Sequence, residues 1–158
     1  DLLAVLAVHL PRHAVELGGS GDVKGKAPAG TQRLINAGKA GLDLLDYDVY
    51  VNVVGGMNTG STSTDLAVAL AIYSSFKGRS SLKRLVAAGE VGLTGNLRSI
   101  PNADRIVQEA VRLGYEVVIL PAKNAGQAGK ASADGIRVVG AANITDAIRA
   151  FAGGSSAR

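Results

Sequence analysis

Apolar residues in this chain form short continuous runs, separated by segments rich in glycine or containing proline. Runs of this kind, bounded by turn-forming residues, are typical of buried strands. The pattern predicts strands at residues 2–10, 14–17, 47–54, 85–91, 97–100, 116–120 and 136–139. The segment GLTGN at residues 92–96 predicts a hairpin-like turn between the strands on either side of it.

Other segments carry apolar residues at helical spacing. They predict helices at residues 32–45, 66–76 and 103–113, and a last helix that ends near Phe151. The helix at 66–76 is apolar nearly all round, which is typical of a helix in a core. Gly114 is expected to stop the third helix, and Thr145 or Asn143 to cap the last one. The predicted inner face of the third helix consists of Ile106, Val107, Ala110 and Leu113.

The order of these elements defines the expected fold class. Residues 103–151 predict helix, strand, strand, helix, and the hairpin adds antiparallel pairing. We therefore predict an α/β fold, layered as an α+β sandwich, with a mixed sheet and a buried central helix rather than a simple doubly wound sheet. A chain of 158 residues suits one domain. We expect that domain at residues 1–152, followed by a flexible tail at 153–158.

Composition narrows the classes of protein that this chain can belong to. Glycine supplies 21 of the 158 residues and aromatics only 4%, and cysteine is missing. The core is therefore expected to be aliphatic, and a disulfide framework, a thiolate zinc site and a cysteine nucleophile are excluded. No apolar run reaches the length of about 18 residues that a transmembrane helix needs. The first ten residues lack the basic region of a signal peptide, so we expect a cytoplasmic protein with no membrane partner.

The start of the chain and its charge suggest a context without fixing it. The sequence begins at Asp1 rather than at methionine, which suggests the C-terminal part of a longer protein. Its formal net charge is +4, from 17 basic and 13 acidic residues. A balance of this size is compatible with solubility alone or with weak attraction to nucleic acid. The basic residues are not interleaved with aromatics, so contacts with phosphates are favoured over base stacking.

Nucleotide and metal motifs are not supported by the residues that would have to carry them. A P-loop fails because Ser20 stands where its first glycine is required and Ala27 where a serine or threonine is required. The two histidines, His9 and His13, flank Pro11 in a segment that does not predict a helix. We therefore expect no metal site.

Ser63 is the one candidate nucleophile with a suggestive position, because it directly precedes the helix predicted at 66–76. The positive end of a helix dipole and free N–H groups stabilise an alkoxide or a bound anion there. A nucleophilic serine also needs a base. Serine and threonine residues commonly cap helices at this position, which is the simpler interpretation.

Three stretches together are similar to a known family. They are DVYVNVVGG at 48–56, TDLAVALAIYSS at 64–75 and GEVGLTGNLRSIPNADRIVQEAVRLGYEVVILP at 89–121. Their order and spacing resemble the C-terminal Lon-protease-like domain of the RadA (Sms) family of bacterial DNA repair proteins. The resemblance covers about residues 46–122 and implies a fold like that of the Lon proteolytic domain.

The resemblance implies a function that composition and spacing do not. Proteins of the RadA family are hexameric, ATP-driven motors of homologous recombination and branch migration. Their zinc finger and ATPase core would lie outside this chain, so ATP and zinc are implied for those parts and no cofactor for this domain. The implied role here is to scaffold the ring and to help hold DNA.

The resemblance also bears on Ser63. Lon proteases use a serine–lysine dyad, and Ser63 falls on the position of that serine, where RadA proteins usually have a small residue that is not a nucleophile. The lysine belongs on the helix after the hairpin, where this sequence matches the RadA arginine with Arg105 if one residue is missing after Asn102. Arginine stays protonated and cannot act as a general base. The dyad is therefore expected to be broken.

Three hypotheses follow for the function of this chain. The first is a non-peptidase domain that scaffolds a hexameric ring and binds DNA. An alternative is an active Lon-type serine peptidase in which Ser63 uses a lysine from elsewhere, such as Lys83 or a lysine of a neighbouring subunit. A third is a purely structural, ring-closing domain. For the first hypothesis, the residues expected to make DNA or intersubunit contacts are Arg98, Arg105, Lys39 and Arg33.

Overall fold

The computed structural model describes residues 62–78, 84–128 and 135–153. A 3-10 turn at Thr62–Thr64 leads into helix α1. The helices are α1 Asp65–Lys77, α2 Ala103–Arg112, α3 Ala122–Ala128 and α4 Ile144–Gly153, and the strands are β1 Leu85–Ala87, β2 Glu90–Val91, β3 Leu97–Arg98, β4 Val117–Pro121 and β5 Arg137–Ala141. The elements expected at 2–10, 14–17, 32–45 and 47–54 lie outside the described residues.

The described strands form two separate ladders. β1, β4 and β5 make a parallel sheet with β4 in the middle, in which Leu85 pairs with Val117 and Val117 with Arg137. β2 and β3 make an antiparallel pair around the predicted turn. The expected α/β class, with parallel as well as antiparallel pairing, is confirmed. In the described part of the chain the two kinds of pairing occur in two sheets rather than in one.

Alternation along the strands directs side chains into two helical layers, one on each face of the parallel sheet. On one face α1 and α4 pack against Leu85, Ala87, Val117 and Ile119. On the other face α2 and α3 pack against Val86, Val118 and Leu120. Burying each of these larger aliphatic side chains stabilises the fold by roughly 1.5–3 kcal/mol.

Helix α1 is the buried helix that its sequence predicts. Leu66, Ala67 and Leu70 are fully buried. Its first turn is tied to the carboxyl end of β1, because the Gly89 carbonyl accepts a hydrogen bond from the Leu66 amide at 3.0 Å. From there α1 runs to the amino end of the sheet alongside α4. The rings of Tyr73 and Phe151 meet edge to face, with their centroids 6.3 Å apart.

Two predicted elements differ from the structure. The single strand expected at 85–91 is interrupted, because after Ala88, whose amide still bonds to the Ile119 carbonyl of β4, Gly89 turns to bond with the start of α1. Helix α3 was not expected, and it directly follows Pro121, which pairs in β4 instead of ending the strand before it. Residues 103–151 therefore alternate helix, strand, helix, strand, helix.

Helix α2 shows how a short amphipathic helix ends. Ile106, Val107 and Ala110 are buried as predicted. The prediction for Leu113 was wrong, since this side chain is 44% exposed. The helix ends at Arg112, and Gly114, with φ of 72°, turns the chain away before Leu113 can complete the buried face. Gly114 is the stop signal that the sequence indicated.

Asn102 precedes α2 in the left-handed region, with φ of 56° and ψ of 30°, and its side chain makes no capping hydrogen bond. Glycine adopts this conformation without steric cost. We expect Asn102→Gly to raise the free energy of unfolding by up to about 1 kcal/mol and Asn102→Ala to lower it. Denaturant midpoints at constant m-value measure both changes. Equal midpoints for the two variants would contradict this expectation.

Candidate functional site

Ser63 lies in the turn that precedes α1, where the sequence places it. Its side chain is half-buried. Its carbonyl accepts a hydrogen bond from the Gly89 amide at 2.8 Å. Together with the bond between the Leu66 amide and the Gly89 carbonyl, this contact fixes the turn against the segment that joins β1 to β2. The position of Ser63 is therefore set by backbone contacts on both sides of one glycine.

Glu90 joins this turn to the β2–β3 hairpin. Its Oε2 accepts a hydrogen bond from the Thr62 hydroxyl at 3.0 Å, and its Oε1 accepts one from Arg98 Nη1 at 3.1 Å. The Arg98 side chain is 61% exposed and that of Glu90 is 28% exposed. An ion pair at this depth contributes at most about 1 kcal/mol. Its effect is to orient Arg98 along the hairpin, beside Glu90.

Sequence reasoning did not single out Glu90. The signal that could have found it is hairpin register, because the GLTGN turn places Glu90 directly opposite Arg98. Side chains directly opposite in an antiparallel pair come close enough to interact. The carboxylate lies next to the turn that holds Ser63, and a negative charge there disfavours an oxyanion at this end of α1.

The structure describes two lysines, Lys77 and Lys123. Lys77 ends α1, about 20 Å from the preceding turn at 1.5 Å per residue. Lys123 belongs to α3, which packs on the other face of the sheet and begins directly after Pro121, the spatial neighbour of Gly89. Lys83, the lysine named for the peptidase alternative, lies outside the described residues, as do Arg33 and Lys39.

Arg105 lies in the first turn of α2, whose layer packs on the other face of the parallel sheet from that of α1. Both helices begin at the carboxyl end of the sheet, because α1 starts beside Gly89 and α2 leads directly into β4. The Arg105 side chain is exposed and forms no hydrogen bond or ion pair within the described ranges. Arg98 differs in this respect because Glu90 holds it. Of the two arginines, Arg105 is therefore the one whose charge is available to a partner.

A second available cation, Lys123, lies near the start of α2. Its neighbour Asn124 fixes this position. Asn124 is 4% exposed, and its side-chain amide accepts a hydrogen bond from the Ile100 amide at 2.9 Å and donates one to the Ile100 carbonyl at 3.0 Å. This pair of bonds holds the first turn of α3 beside the segment that leads into α2. Lys123, which precedes Asn124, is exposed and has no side-chain partner among the described residues. Nothing in the sequence pattern indicated it, because α3 itself was not expected.

The carboxylate of Glu109 affects the charge state of its neighbour Arg112. A hydrogen bond from Arg112 to the Glu109 carboxylate, together with the charge of that carboxylate, raises the pKa of the Arg112 guanidinium above its usual range. Arg112 is therefore a permanent cation.

The part of the chain that the structure describes contains no group of three or more histidine, cysteine or acidic residues able to hold a metal ion. None of its helices has the length and apolarity needed to cross a membrane.

Comparison with known proteins places this geometry in a family. A family model described as "Subunit ChlI of Mg-chelatase" matches residues 30–124, which include the turn, the hairpin and α2. DNA repair protein RadA of Escherichia coli K12 is 40% identical over 111 residues, which cover 70% of this chain and 24% of that protein. RadA of Bacillus subtilis 168 is 37% identical over 116 residues, covering 73% and 25%.

RadA of Mycolicibacterium smegmatis is 42% identical over 103 residues, covering 65% of this chain and 21% of that protein. The chain thus spans about a quarter of the length of these relatives. The similarity to RadA expected from the three sequence stretches is confirmed. The chain belongs to the family of the matching model, Subunit ChlI of Mg-chelatase, and its similarity to curated proteins is to bacterial DNA repair proteins named RadA.

Proposed function

We propose that this chain is the Lon-like, non-peptidase part of a RadA-type DNA repair protein of the cytoplasm. In this role it scaffolds a hexameric ring and supplies phosphate contacts that hold DNA during branch migration. The observation that carries the proposal is Arg105, which is exposed and without a side-chain partner among the described residues. The names of its relatives supply the process, DNA repair.

The absence of peptidase activity is supported by the chemistry of the side chains. At the place where a Lon-type dyad requires a lysine, the chain has Arg105, which stays protonated and cannot act as a general base. The Glu90 carboxylate adds negative charge beside the serine turn. Casein hydrolysis that is abolished by Ser63→Ala would overturn this part of the proposal. In a RadA-type protein, ATP and zinc would be bound by the parts outside this domain.

DNA binding is supported by the cations that the fold leaves available. Arg105 and Lys123 lie near each other at the starts of α2 and α3, because Asn124 ties those two segments together. Both are exposed on one side of the parallel sheet. Basic side chains that neutralise phosphates release counterions, so binding through them weakens steeply as salt rises.

The salt dependence of DNA binding is the test. We expect the full chain to bind a labelled single strand or duplex at low salt, with log Kd rising linearly with log salt. Arg105→Ala should weaken binding and reduce the slope by about 0.7 on a single strand or about 0.9 on a duplex. Fluorescence anisotropy measures both quantities. Arg149→Ala is the matched control, because Arg149 is also exposed but pairs with Asp146 on α4 in the other layer.

The outcomes separate the proposed roles. No binding at the lowest salt, even by an assembled oligomer, would remove the DNA-binding role and leave a ring-closing structural domain. The mass of the chain in solution, measured with and without DNA, tests assembly independently. A monomer under both conditions would overturn the scaffolding role.

A further inference from the structure

The parallel sheet divides the described charges into two unequal sets. Helices α1 and α2 both end at the amino end of the sheet, because α1 starts at the carboxyl end of β1 and α2 leads directly into β4. At the amino end the acidic residues are Glu109 and Glu116, and the basic residues are Lys77, Arg84, Arg112 and Arg137. The remaining charged residues that the structure describes are four acidic and four basic ones, so their charges balance. The excess of positive charge in the described part of the chain therefore lies at this end.

Arg84 is held in place at this end. Its Nη2 donates to the Leu113 carbonyl at 2.9 Å, and its Cζ lies 5.1 Å from the centroid of the Tyr115 ring. A cation over a tyrosine face at this distance is attracted to the ring. The guanidinium has five N–H donors in a fixed plane, and this arrangement engages one of them. The Arg84 side chain is exposed, so further donors can reach a ligand.

Arg137 lies at the same end of the sheet, two strands away on the opposite edge strand. By the alternation of the strands, Arg137 shares the face of Val117, and Arg84 the face of Val86, so the two flank the end of the sheet from either side. The Arg84 carbonyl accepts from the amides of Glu116 and Val117, and the Glu116 carbonyl accepts from the Arg137 amide. With neighbouring strands about 4.8 Å apart, the Arg84 and Arg137 backbones are about 10 Å apart. Arg137 is exposed and, in the described ranges, its side chain has no hydrogen bond or ion pair.

Helix stability accounts for some of these cations but not for all of them. Lys77 and Arg112 lie in the last turns of their helices, and Arg84 binds the carbonyl that follows α2. Cations at helix C-termini stabilise the helix dipole. Arg137 begins a strand, so this explanation does not apply to it. It is the residue that distinguishes a ligand surface from a set of helix-stabilising charges.

We propose that the amino end of the parallel sheet, centred on Arg84 and Arg137, is a second contact surface for the phosphodiester backbone of nucleic acid. This inference rests on the proposed DNA-binding function and adds a surface at the opposite end of the sheet from Arg105. Guanidinium donors suit phosphate oxygens, which they can bind in bidentate fashion. Arg84 is held in place, while Arg137, unpaired within the described part of the chain, is free to reach a phosphate. Leu113, which is 44% exposed, and the half-buried Tyr115 give the surface an apolar margin against which sugars can pack.

The experiment measures the salt dependence of DNA binding by the full chain and two variants that change charge equally. Arg137→Gln should reduce the slope of log Kd against log salt by about 0.7 on a labelled single strand or about 0.9 on the matching duplex. Arg149→Gln, the control, should leave the slope unchanged. Arg137→Lys should retain the slope, because it preserves the charge that releases counterions. A loss that reaches its expected value on only one of the two, single strand or duplex, identifies the form of nucleic acid that this surface contacts.

Two further outcomes keep this inference separate from the proposed function. If the full chain binds DNA, Arg105→Ala weakens it and Arg137→Gln has the parent slope, the amino-end surface is overturned while the proposed function stands. If the full chain binds no DNA at low salt, this surface and the proposed DNA-binding role fail together, and the scaffolding role is tested by the mass of the chain in solution. Thermal unfolding of Arg137→Gln within a few degrees of the parent shows that a changed slope reflects lost contact. A collapse in the thermal stability of Arg137→Gln, together with a slope that falls in Arg137→Lys as far as in Arg137→Gln, would instead assign Arg137 a structural role and overturn the surface.

Discussion

Replacing Asn124 by alanine is expected to lower the free energy of unfolding by about 2–4 kcal/mol, one of the two largest single-residue effects predicted for this domain. The Asn124 amide satisfies both backbone groups of Ile100, whose side chain is 5% exposed. Without it, a buried N–H and a buried C=O lose their partners at once, and each such group costs about 1–3 kcal/mol. Urea unfolding of both proteins measures the difference.

Gln127→Ala is the matched control for this prediction. Gln127 is an amide side chain on the same helix, but it is exposed, so its removal should change stability by less than about 0.5 kcal/mol. Equal effects of Asn124→Ala and Gln127→Ala would show that the two bonds to Ile100 contribute nothing specific.

Asn124→Asp adds a test that a merely space-filling role would fail. The introduced carboxylate can accept from the Ile100 amide but cannot donate to its carbonyl, and burial raises the pKa of that carboxyl above its usual range. The protonated form restores the donor. The stability deficit relative to the parent should therefore shrink as pH falls through the raised pKa and be greatest above it. A deficit independent of pH would contradict the assigned hydrogen bonds.

The sequence correctly predicts those elements whose own apolar pattern is enough to identify them as a helix or a strand. Helix α1 has a long apolar run after a group of capping residues, and strand β4 is a continuous buried run. In α2, buried positions recur at helical spacing until Gly114 stops them. In each case, local residues and burial favour the same structure, so pattern alone is sufficient.

Helix α3 was missed because its stability comes from its neighbours. Its sequence, AKNAGQA, mixes alanine and glycine with polar residues and has no apolar period. It forms because Asn124 bonds to Ile100 and because Ala122 and Ala125 pack closely on β5. Short helices are marginal without such packing. Contacts between segments that are distant in the sequence stabilise α3, and such contacts cannot be predicted from local helix propensity.

The same distinction applies to the candidate site. The place of Ser63 before α1 followed from local sequence, and so did the hairpin that carries Arg98. The partner of Arg98 required the register of that hairpin, which joins it to Glu90. The proximity of Lys123 to the start of α2 required α3. Residue types were therefore predictable, whereas the pairing that leaves Arg105 available and occupies Arg98 was not.

Gly140→Val is expected to destabilise the domain by about 3 kcal/mol or more, because β5 and α3 touch at Gly140. A Cβ at Gly140 would lie 3.0 Å from the Cβ of Ala125 and 3.2 Å from the Cα of Ala122. Neither atom is the end of a flexible side chain, so α3 would have to shift by a few tenths of an ångström for the Cβ alone and further for the two methyl groups of valine. Overpacking by a single extra carbon typically costs about 1–3 kcal/mol, and valine adds three carbons.

Gly126, in the same helix, provides a control in which substitution should raise stability instead of lowering it. Gly126 lies within α3, and a Cβ there would meet no atom within 4 Å. Gly126→Ala should therefore stabilise the domain by up to about 1 kcal/mol through helix propensity. Denaturant unfolding of both variants gives the comparison.

A displaced α3 would also move Lys123 and release the Asn124–Ile100 bonds. Gly140→Val should therefore weaken DNA binding through Lys123, while Gly126→Ala should leave DNA binding unchanged. Unchanged stability in Gly140→Val would show that α3 does not pack on β5 as closely as the structure places it.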